Sequence, residues 1–283
     1  MLEVVATGPL TTVQDLGRPG LAALGVGRSG AADTRSFALA NRLLGNGPGA
    51  AMLEATFGGL AVIARTGGWF VVTGAPVAVT VDGRGHGMNA PLYAPAGAVV
   101  GLGRPGAGLR TYVAVRGGID VAPVLGSRAT DQLSGIGPAV PRVGDVLPIG
   151  ADRGPWPGVD VAPVPEPPTP CVLRVRLGPR VDWFTADAAR VLTAAPYTVT
   201  PDSNRIGIRL DGAALTRARP GELPSEGLVP GAVQVPPGGL PTVFLADHPT
   251  TGGYPVIAVV VDADVYLAAQ APPGARIRFR AVR

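Results

Sequence analysis

Short apolar runs, broken by glycine, proline, aspartate or asparagine, set the rhythm of this chain. In the first half they fall around residues 2–6, 60–64, 69–73, 77–81, 98–102 and 110–116. In the second half they fall around 172–177, 197–200, 206–210, 242–246, 255–261 and 275–281. Val and Ile dominate them, and β-branched side chains suit a pleated, half-buried surface. Strand-like runs follow one another without alternating helices, so barrels or sandwiches are expected rather than α/β units. Two stretches carry a helical signal. Residues 33–44 place Phe37, Ala40 and Leu44 on one stripe, with Gly45 as a left-handed stop. A second helix is expected near 186–193, with Thr185 as its N-cap. The expected fold is mainly β, a β-barrel with one short helix in each half.

The boundary between the halves is written in proline. Residues 151–170 carry Pro155, Pro157, Pro163, Pro165, Pro167, Pro168 and Pro170. Proline removes backbone donors and favours extended chain, so this stretch is read as a linker joining domains at 1–150 and 171–283. A length of 283 residues suits two domains. With 46% hydrophobic and 16% charged residues the chain has enough apolar material for two cores and too little charge for disorder. Aromatics are only 5%, so those cores rest on Val, Leu, Ile and Ala.

Charge changes the picture more than its net value of +4 suggests, because all 24 basic residues are arginine. Without lysine the chain cannot carry biotin, form a Schiff base with pyridoxal phosphate, or supply a P-loop lysine. The excess is dispersed, and Arg276, Arg278 and Arg280 alternate as one solvated strand face would, so no nucleic-acid partner is expected. The single Cys171 precludes an internal disulfide and any multi-cysteine metal site, and its apolar neighbours point to burial. His86 reads as lying at a hairpin tip. His248 follows Asp247 directly, so the two cannot orient one another as triad partners. No metal site is expected. The opening Met1-Leu2-Glu3-Val4-Val5 reads as a strand, and no apolar run approaches a membrane span, so a cytoplasmic location without membrane contact is expected.

Gly25-Val-Gly27-Arg-Ser-Gly30 precedes a helix but sits in no βαβ unit, which argues against a dinucleotide fold. Backbone donors near Ser29, Gly30 and the helix start could still hold a phosphate or carboxylate. The other polar groups gather in loops between apolar strands, where binding chemistry concentrates. These are 11–20, 203–205, 225–227, Gln234 and 247–255. Arg18 and Arg205 could each clamp an anion in a two-pronged fork. Gly252 and Gly253 permit close backbone approach, with Tyr254 as an amphipathic wall.

These loops carry a resemblance. Leu10-Thr-Thr-Val-Gln-Asp-Leu-Gly-Arg-Pro-Gly20, Ser29-Gly-Ala-Ala-Asp33, Leu39-Ala-Asn-Arg-Leu-Leu-Gly-Asn46 and Tyr112-Val-Ala-Val-Arg-Gly-Gly-Ile-Asp120 resemble, in order, the family that holds the C subunit of 5-oxoprolinase, KipA and allophanate hydrolase subunit 2. Leu125-Gly-Ser-Arg-Ala-Thr-Asp131, Ser203-Asn-Arg-Ile-Gly207, Ser225-Glu-Gly227, Gly231-Ala-Val-Gln-Val-Pro-Pro237 and Thr250-Thr-Gly-Gly-Tyr-Pro255 continue it. The resemblance implies tandem cyclophilin-like β-barrels and a stable complex with a KipI-like B subunit. Together with an A subunit, such complexes open the lactam of 5-oxo-L-proline to glutamate using ATP, with Mg at the level of the complex. No covalent cofactor sits on this chain, which is expected to be inactive by itself. The same family contains the carboxyltransferase part of urea carboxylase, where biotin would arrive on another chain, and a KipA-like regulator of a kinase inhibitor. For a lactam-opening site, chemistry assigns Glu226 or Asp247 to proton transfer and Arg18 and Arg205 to anionic groups. Asn204, Gln234, Thr251, Gly252, Gly253 and Tyr254 would bind substrate or nucleotide.

Overall fold

The β-branched runs of the first half pair into two antiparallel sheets. Their strands are β1 (Leu2–Thr7), β2 (Leu10–Gln14), β3 (Met52–Thr56), β4 (Leu60–Ala64), β5 (Gly68–Gly74) and β6 (Val79–Val81). Then follow β7 (Arg84–His86), β8 (Leu92–Ala94), β9 (Val99–Leu102), β10 (Arg110–Val115) and β11 (Val146–Leu147). A six-stranded sheet runs β11-β1-β4-β9-β6-β7 and a five-stranded sheet β2-β3-β10-β5-β8. The computed structural model describes residues 1–151, 154–165 and 168–282. The chain divides into unit 1 (Met1–Arg18, Ser29–Asp131, Gly135–Glu166) and unit 2 (Pro19–Arg28, Gln132–Ser134, Pro167–Arg283).

Alternation decides what each face of unit 1 does. Val4, Val62 and Val100 from one sheet meet Leu53, Val72 and Val113 from the other in one core. Each such side chain contributes about 1.5–3 kcal/mol by leaving water. One residue along, Met52, Val71, Tyr112 and Ala114 point to the opposite face of the five-stranded sheet and pack on Phe37, Ala40 and Leu44 of helix α1 (Thr34–Leu44). The helix starts where Asp33 accepts the backbone N–H of Arg35 at 3.1 Å and of Ser36 at 3.0 Å. It stops at Gly45, whose φ of 64° closes the last turn.

Unit 2 adds β12 (Cys171–Leu177), β13 (Tyr197–Val199), β14 (Gly207–Asp211), β15 (Glu226–Gly227) and β16 (Ala232–Gln234). It continues with β17 (Thr242–Phe244), β18 (Thr251–Gly252), β19 (Val256–Val260) and β20 (Arg276–Ala281). Seven of these close into a barrel in the order β12-β19-β16-β17-β14-β13-β20. The closing pair, β12 with β20, is parallel and runs from Cys171 opposite Ile277 to Val175 opposite Ala281. Leu173, Val175, Ile277 and Phe279 fill the interior while Arg276, Arg278 and Arg280 point outward, the solvated face that their alternation implied. Tyr197 meets Phe279 edge-on at 5.8 Å, and burial pushes its phenol up to about 12. Cys171 is half-buried and unpaired, and burial lifts its thiol to about 11.

The expectation of a mainly β chain with barrel architecture holds, and several local readings change. The polar stretch 11–14, read as loop, is strand β2. Its Thr11, Thr12 and Gln14 are buried, and Gln14 Nε2 donates to Thr12 Oγ1 at 3.0 Å and to the Thr130 carbonyl at 2.9 Å. His86 is not at the hairpin tip. That tip is Asp82-Gly83, with φ of 48° and 79°, a tight turn whose twist matches its strands. His86 lies beyond it on β7, exposed. Helix α2 (Ala188–Ala194) begins at Asp187 rather than Thr185, whose hydroxyl instead donates to the Asp187 carboxylate at 2.7 Å. Helix α3 (Asp262–Ala269) gave no periodic signal. Of the linker expected at 151–170, residues 152, 153, 166 and 167 lie outside the described residues. Within unit 1, Arg116 donates to the Gly154 carbonyl at 2.6 Å and covers the Trp156 ring at 4.7 Å, while Ala162 N–H donates to Asn89 O at 2.8 Å.

Helix α3 is fastened by one carboxylate. Asp264 accepts Arg174 Nη2 at 2.7 Å, Nε at 2.8 Å and the Arg174 backbone N–H at 2.9 Å. The hydrogen bonds from Arg174 hold its carboxyl below the ordinary aspartate range. A depressed folded-state value stabilises above the unfolded pKa, and that contribution is lost as pH falls through the folded value. Asp264→Asn should therefore be less stable than wild type by about 1–2 kcal/mol at neutral pH, a gap that closes in acid. Urea titrations at stepped pH test this, and a gap that does not change with pH would sink it.

Candidate functional site

The barrel of unit 2 carries a two-stranded ribbon in which β15 pairs with β18, setting Glu226 opposite Gly252 and Gly227 opposite Thr251. Beside it, Gln234 at the end of β16 donates through Nε2 to the Tyr254 carbonyl at 3.0 Å. Gly252 lies close against two side-chain ends. A Cβ there would stand 2.7 Å from Gln234 Nε2 and 2.8 Å from Leu228 Cδ1. Tyr254 is 38% exposed, and the Arg217 guanidinium lies 5.6 Å from its ring centroid. Arg217 Nη2 donates to the Val235 carbonyl at 2.7 Å, while its buried Nε has no partner among the described residues. Glu226 takes Arg180 on both carboxylate oxygens, with Nε to Oε2 at 3.0 Å. Those bonds hold the Glu226 carboxyl below its ordinary range, so it stays ionised. The ribbon thus gathers an aromatic wall, a primary amide, two arginines, one carboxylate and a close backbone.

Arg205 and Asp247 form a second, buried cluster in the same unit. Arg205 Nε donates to Asp247 Oδ2 at 2.9 Å and Nη2 to Oδ1 at 3.0 Å, with both side chains almost wholly buried. Asp247 N–H returns to the Arg205 carbonyl at 3.0 Å, and Gln132 N–H adds a bond to Oδ2 at 3.1 Å. Asn204, exposed, accepts the Ile206 N–H at 2.8 Å and so caps the turn that delivers Arg205. His248 turns its Nδ1 to Pro249 O at 2.7 Å.

The strand register separates the two clusters. Gln234 pairs with Thr242, whereas Phe244 at the other end of β17 pairs with Gly207, which follows Arg205 and Ile206. The segment 245–255, which carries β18, joins them in sequence. Of the residues singled out from sequence, the ribbon gathers Glu226, Gln234, Thr251, Gly252, Gly253 and Tyr254. Arg205 and Asp247 form the buried brace, exposed Asn204 caps the turn that leads to it, and Arg18 belongs to unit 1. Arg180, Arg217 and Gln132 escaped sequence reasoning. Arg180 follows a turn-like Gly178-Pro179, but Arg217 stands in no motif.

The anion site expected near Ser29, Gly30 and the start of α1 is filled by the protein's own groups. Ala32 N–H donates to Glu54 Oε2 at 3.0 Å, Asp33 N–H to Tyr112 Oη at 2.7 Å, and the next donors go to Asp33. Tyr112 Oη in turn donates to Glu54 Oε2 at 2.7 Å, and burial first, then the Glu54 charge, raises its phenol well above the usual value. Among the described residues no group of three or more His, Cys, Asp or Glu is placed to hold a metal, and no helix is long and apolar enough to cross a membrane.

Residues 24–281 match the carboxyltransferase domain, subdomain A and B. The chain belongs to the carboxyltransferase domain family. It is 40% identical over 282 residues to the C subunit of 5-oxoprolinase from Escherichia coli, covering 99% of this chain and 90% of that protein. It is 32% identical to the urea amidolyase of Lachancea kluyveri, over 98% of this chain but 17% of that one. The crystal structure of TTHA0988 superimposes with a TM-score of 0.90 at 36% identity, over 99% of this chain and 55% of that chain. This carboxyltransferase domain therefore spans about half of that solved chain. Both clusters of unit 2 lie inside the matched residues, as do Gln132 and Arg217.

The buried brace makes a sharp prediction for this carboxyltransferase domain. Removing one member of a buried ion pair leaves an uncompensated charge, whereas replacing both with apolar groups does not. Arg205→Met or Asp247→Leu alone should cost about 3–5 kcal/mol, and the double variant should recover most of that loss. Chemical denaturation of the four proteins gives the coupling; additive losses would contradict the brace.

Proposed function

We propose that this chain is the C subunit of a multi-subunit ATP-dependent 5-oxoprolinase. In that assembly it works with a KipI-like B subunit and an A subunit to convert 5-oxo-L-proline to L-glutamate, and it is inactive alone. The observation that carries the reading is the match to the Escherichia coli protein over 90% of its length, against 17% of the Lachancea urea amidolyase. The higher identity, 40% against 32%, favours the oxoprolinase subunit over the urea amidolyase domain as the nearer functional relative of the two.

The chemistry of the ribbon supports a small, planar, anionic amide as ligand. The substrate carboxylate would sit against Arg217, whose Nε lacks a partner among the described residues, with its ring against Tyr254. The lactam would meet Gln234 and the backbone at Gly252 and Gly253. A lactam carbonyl is resonance-stabilised and a poor electrophile, so ATP supplies the activation that makes its carbon open to attack. Glu226, kept ionised by Arg180, then acts as an acceptor for a proton or a counter-charge rather than as a donor. Arg205, Asp247 and Asn204 position the segment 245–255 without touching substrate.

Co-purification of this chain with both partner subunits, followed by an assay of ATP-dependent glutamate release, tests the reading. Release should require all three chains. In the assembled complex Arg217→Met and Gln234→Ala should each lower kcat/KM roughly 10- to 100-fold, the effect of losing an oriented hydrogen bond or charge. No release from an intact complex rejects the proposal. Carboxylation of urea with biotin supplied on another chain would then be the activity to assay.

The Arg180–Glu226 pair adds a pH signature. A depressed carboxyl keeps its charge further into acid, so activity that needs ionised Glu226 falls only as pH drops through that low value. Arg180→Met should return the carboxyl toward its ordinary range and move the acid limb of the rate profile upward. An unmoved limb in a folded, assembled complex removes Glu226 from the chemistry.

A further inference from the structure

Three arginines, Arg18, Arg110 and Arg205, are among the largest fully buried side chains of the chain. Two of them have a carboxylate at hand. Arg205 is clasped by Asp247, and Arg110 Nε lies 3.5 Å from Glu54 Oε1. Arg18 has none among the described residues. Its Nη2 donates to the Ala129 carbonyl at 2.5 Å, and its Nε and Nη1, both buried, make no hydrogen bond there. A guanidinium never loses its charge in a protein, and a buried charge without a counter-charge is among the most costly features a fold can hold.

The surroundings fix Arg18 in this state. The neighbouring acid, Asp15, is committed elsewhere. Its Oδ1 accepts Gly17 N–H at 2.7 Å and Ser127 Oγ at 2.6 Å, and its Oδ2 accepts Arg128 N–H at 2.6 Å. Those bonds, with Thr130 N–H to Val13 O at 2.9 Å, hold the 127–130 segment so that the Ala129 carbonyl is a fixed anchor. Gly137, with φ of 107°, lies so close that a Cβ on it would stand 3.0 Å from Arg18 Nη2 and 2.0 Å from Ala129 O. Nη2 carries two hydrogens. Whichever one serves Ala129, the other remains paired with a free N–H on Nε or on Nη1. One complete two-pronged edge of the guanidinium is therefore left without a partner in unit 1, with the spacing of a carboxylate's two oxygens.

We propose that Arg18 is the centre of an oxyanion-binding site in unit 1, which takes the carboxylate of a small organic acid. The proposal does not rest on the oxoprolinase reading. The same edge would accept a phosphate, so the test separates the two sources. Wild-type full-length chain labelled with 15N-arginine is titrated with acetate and, separately, with inorganic phosphate. Chloride at equal ionic strength is the control. The Nε–Hε resonance of Arg18 is assigned by its absence from Arg18→Lys. A saturable shift of that resonance with acetate, exceeding the response to phosphate, is expected. Arg18→Lys, which keeps the charge but loses the planar fork, should weaken acetate binding at least tenfold. A larger response to phosphate overturns the assignment to organic acids. No saturable response to either anion overturns the site itself. Arg18→Met supplies a second readout, its thermal stability without ligand. Equal or greater stability than wild type, together with loss of the acetate-dependent rise in Tm, is expected because the variant removes an uncompensated charge. A marked loss of stability together with an unresponsive wild-type resonance makes Arg18 a structural clip for Ala129 and ends the proposal.

Discussion

Closure of the second barrel depends on the parallel pairing of β12 with β20, strands from opposite ends of unit 2. An open edge would expose a row of unpaired backbone groups, and closing the sheet removes it. The consequences reach the ribbon. β12 also pairs with β19, β19 with β16, and β16 ends at Gln234. The position of that amide is therefore set by a chain of strand registers that begins with the closing pair. The ribbon itself has only two residues on each side and could not stand alone. Its geometry is lent by the barrel, and for that reason Gly252 is held so close to Gln234 that a methyl group there would displace the amide.

The absence of lysine gives the electrostatics a single character. Apart from the two histidines, every basic side chain is a guanidinium, so the charge of each ion pair changes with pH only on its acidic side. Two of the chain's two-pronged pairs, Arg174–Asp264 and Arg180–Glu226, depress the carboxyl they hold, and one fastens a helix while the other equips the ribbon. The same fork therefore serves stability in one place and a functional charge in the other. Surroundings distinguish the two. Asp264 also accepts the backbone N–H of Arg174 and is buried, whereas Glu226 is half-buried and its strand is paired only with β18.

Much of the fold was legible because apolar β-branched runs bounded by glycine and proline state their own periodicity. What escaped was polar and buried. β2 reads as a loop because Thr11, Thr12 and Gln14 are hydrophilic, yet the strand gives them partners. Thr12 and Gln14, on the face of Glu54 and Tyr112, bond each other, and Gln14 also bonds the Thr130 carbonyl. Thr11, on the other face, donates to the Thr7 carbonyl. Helix α3 escaped because its Ala and Val residues form no stripe, and its hold on the barrel comes from Asp264. At the candidate site, Gly252-Gly253-Tyr254 announced itself through glycine, whose presence beside an aromatic signals close approach. Arg180 and Arg217 could not be found this way, since a lone arginine in a loop carries no sign of the carbonyl or carboxylate it will meet. Arg205 and Asp247 were legible as a pair of charges in polar loops, but their burial, which turns them into a brace, exists only after folding.

The state of these carboxylates bears on why such a chain would need partners, on the reading proposed above. Opening a lactam requires a proton to be delivered to the leaving nitrogen, and an efficient donor has a pKa near the working pH. Glu226 does not meet that need, because Arg180 holds it ionised, while Asp247 spends its oxygens on Arg205 and the Gln132 N–H. The ribbon can bind an anion, orient an amide and accept charge, but it has no acid of its own. Of the two histidines, His86 is exposed on β7 and His248 turns its Nδ1 to Pro249 O. On that reading a water on the substrate or a partner subunit supplies the donor, in keeping with the dependence on partners proposed above.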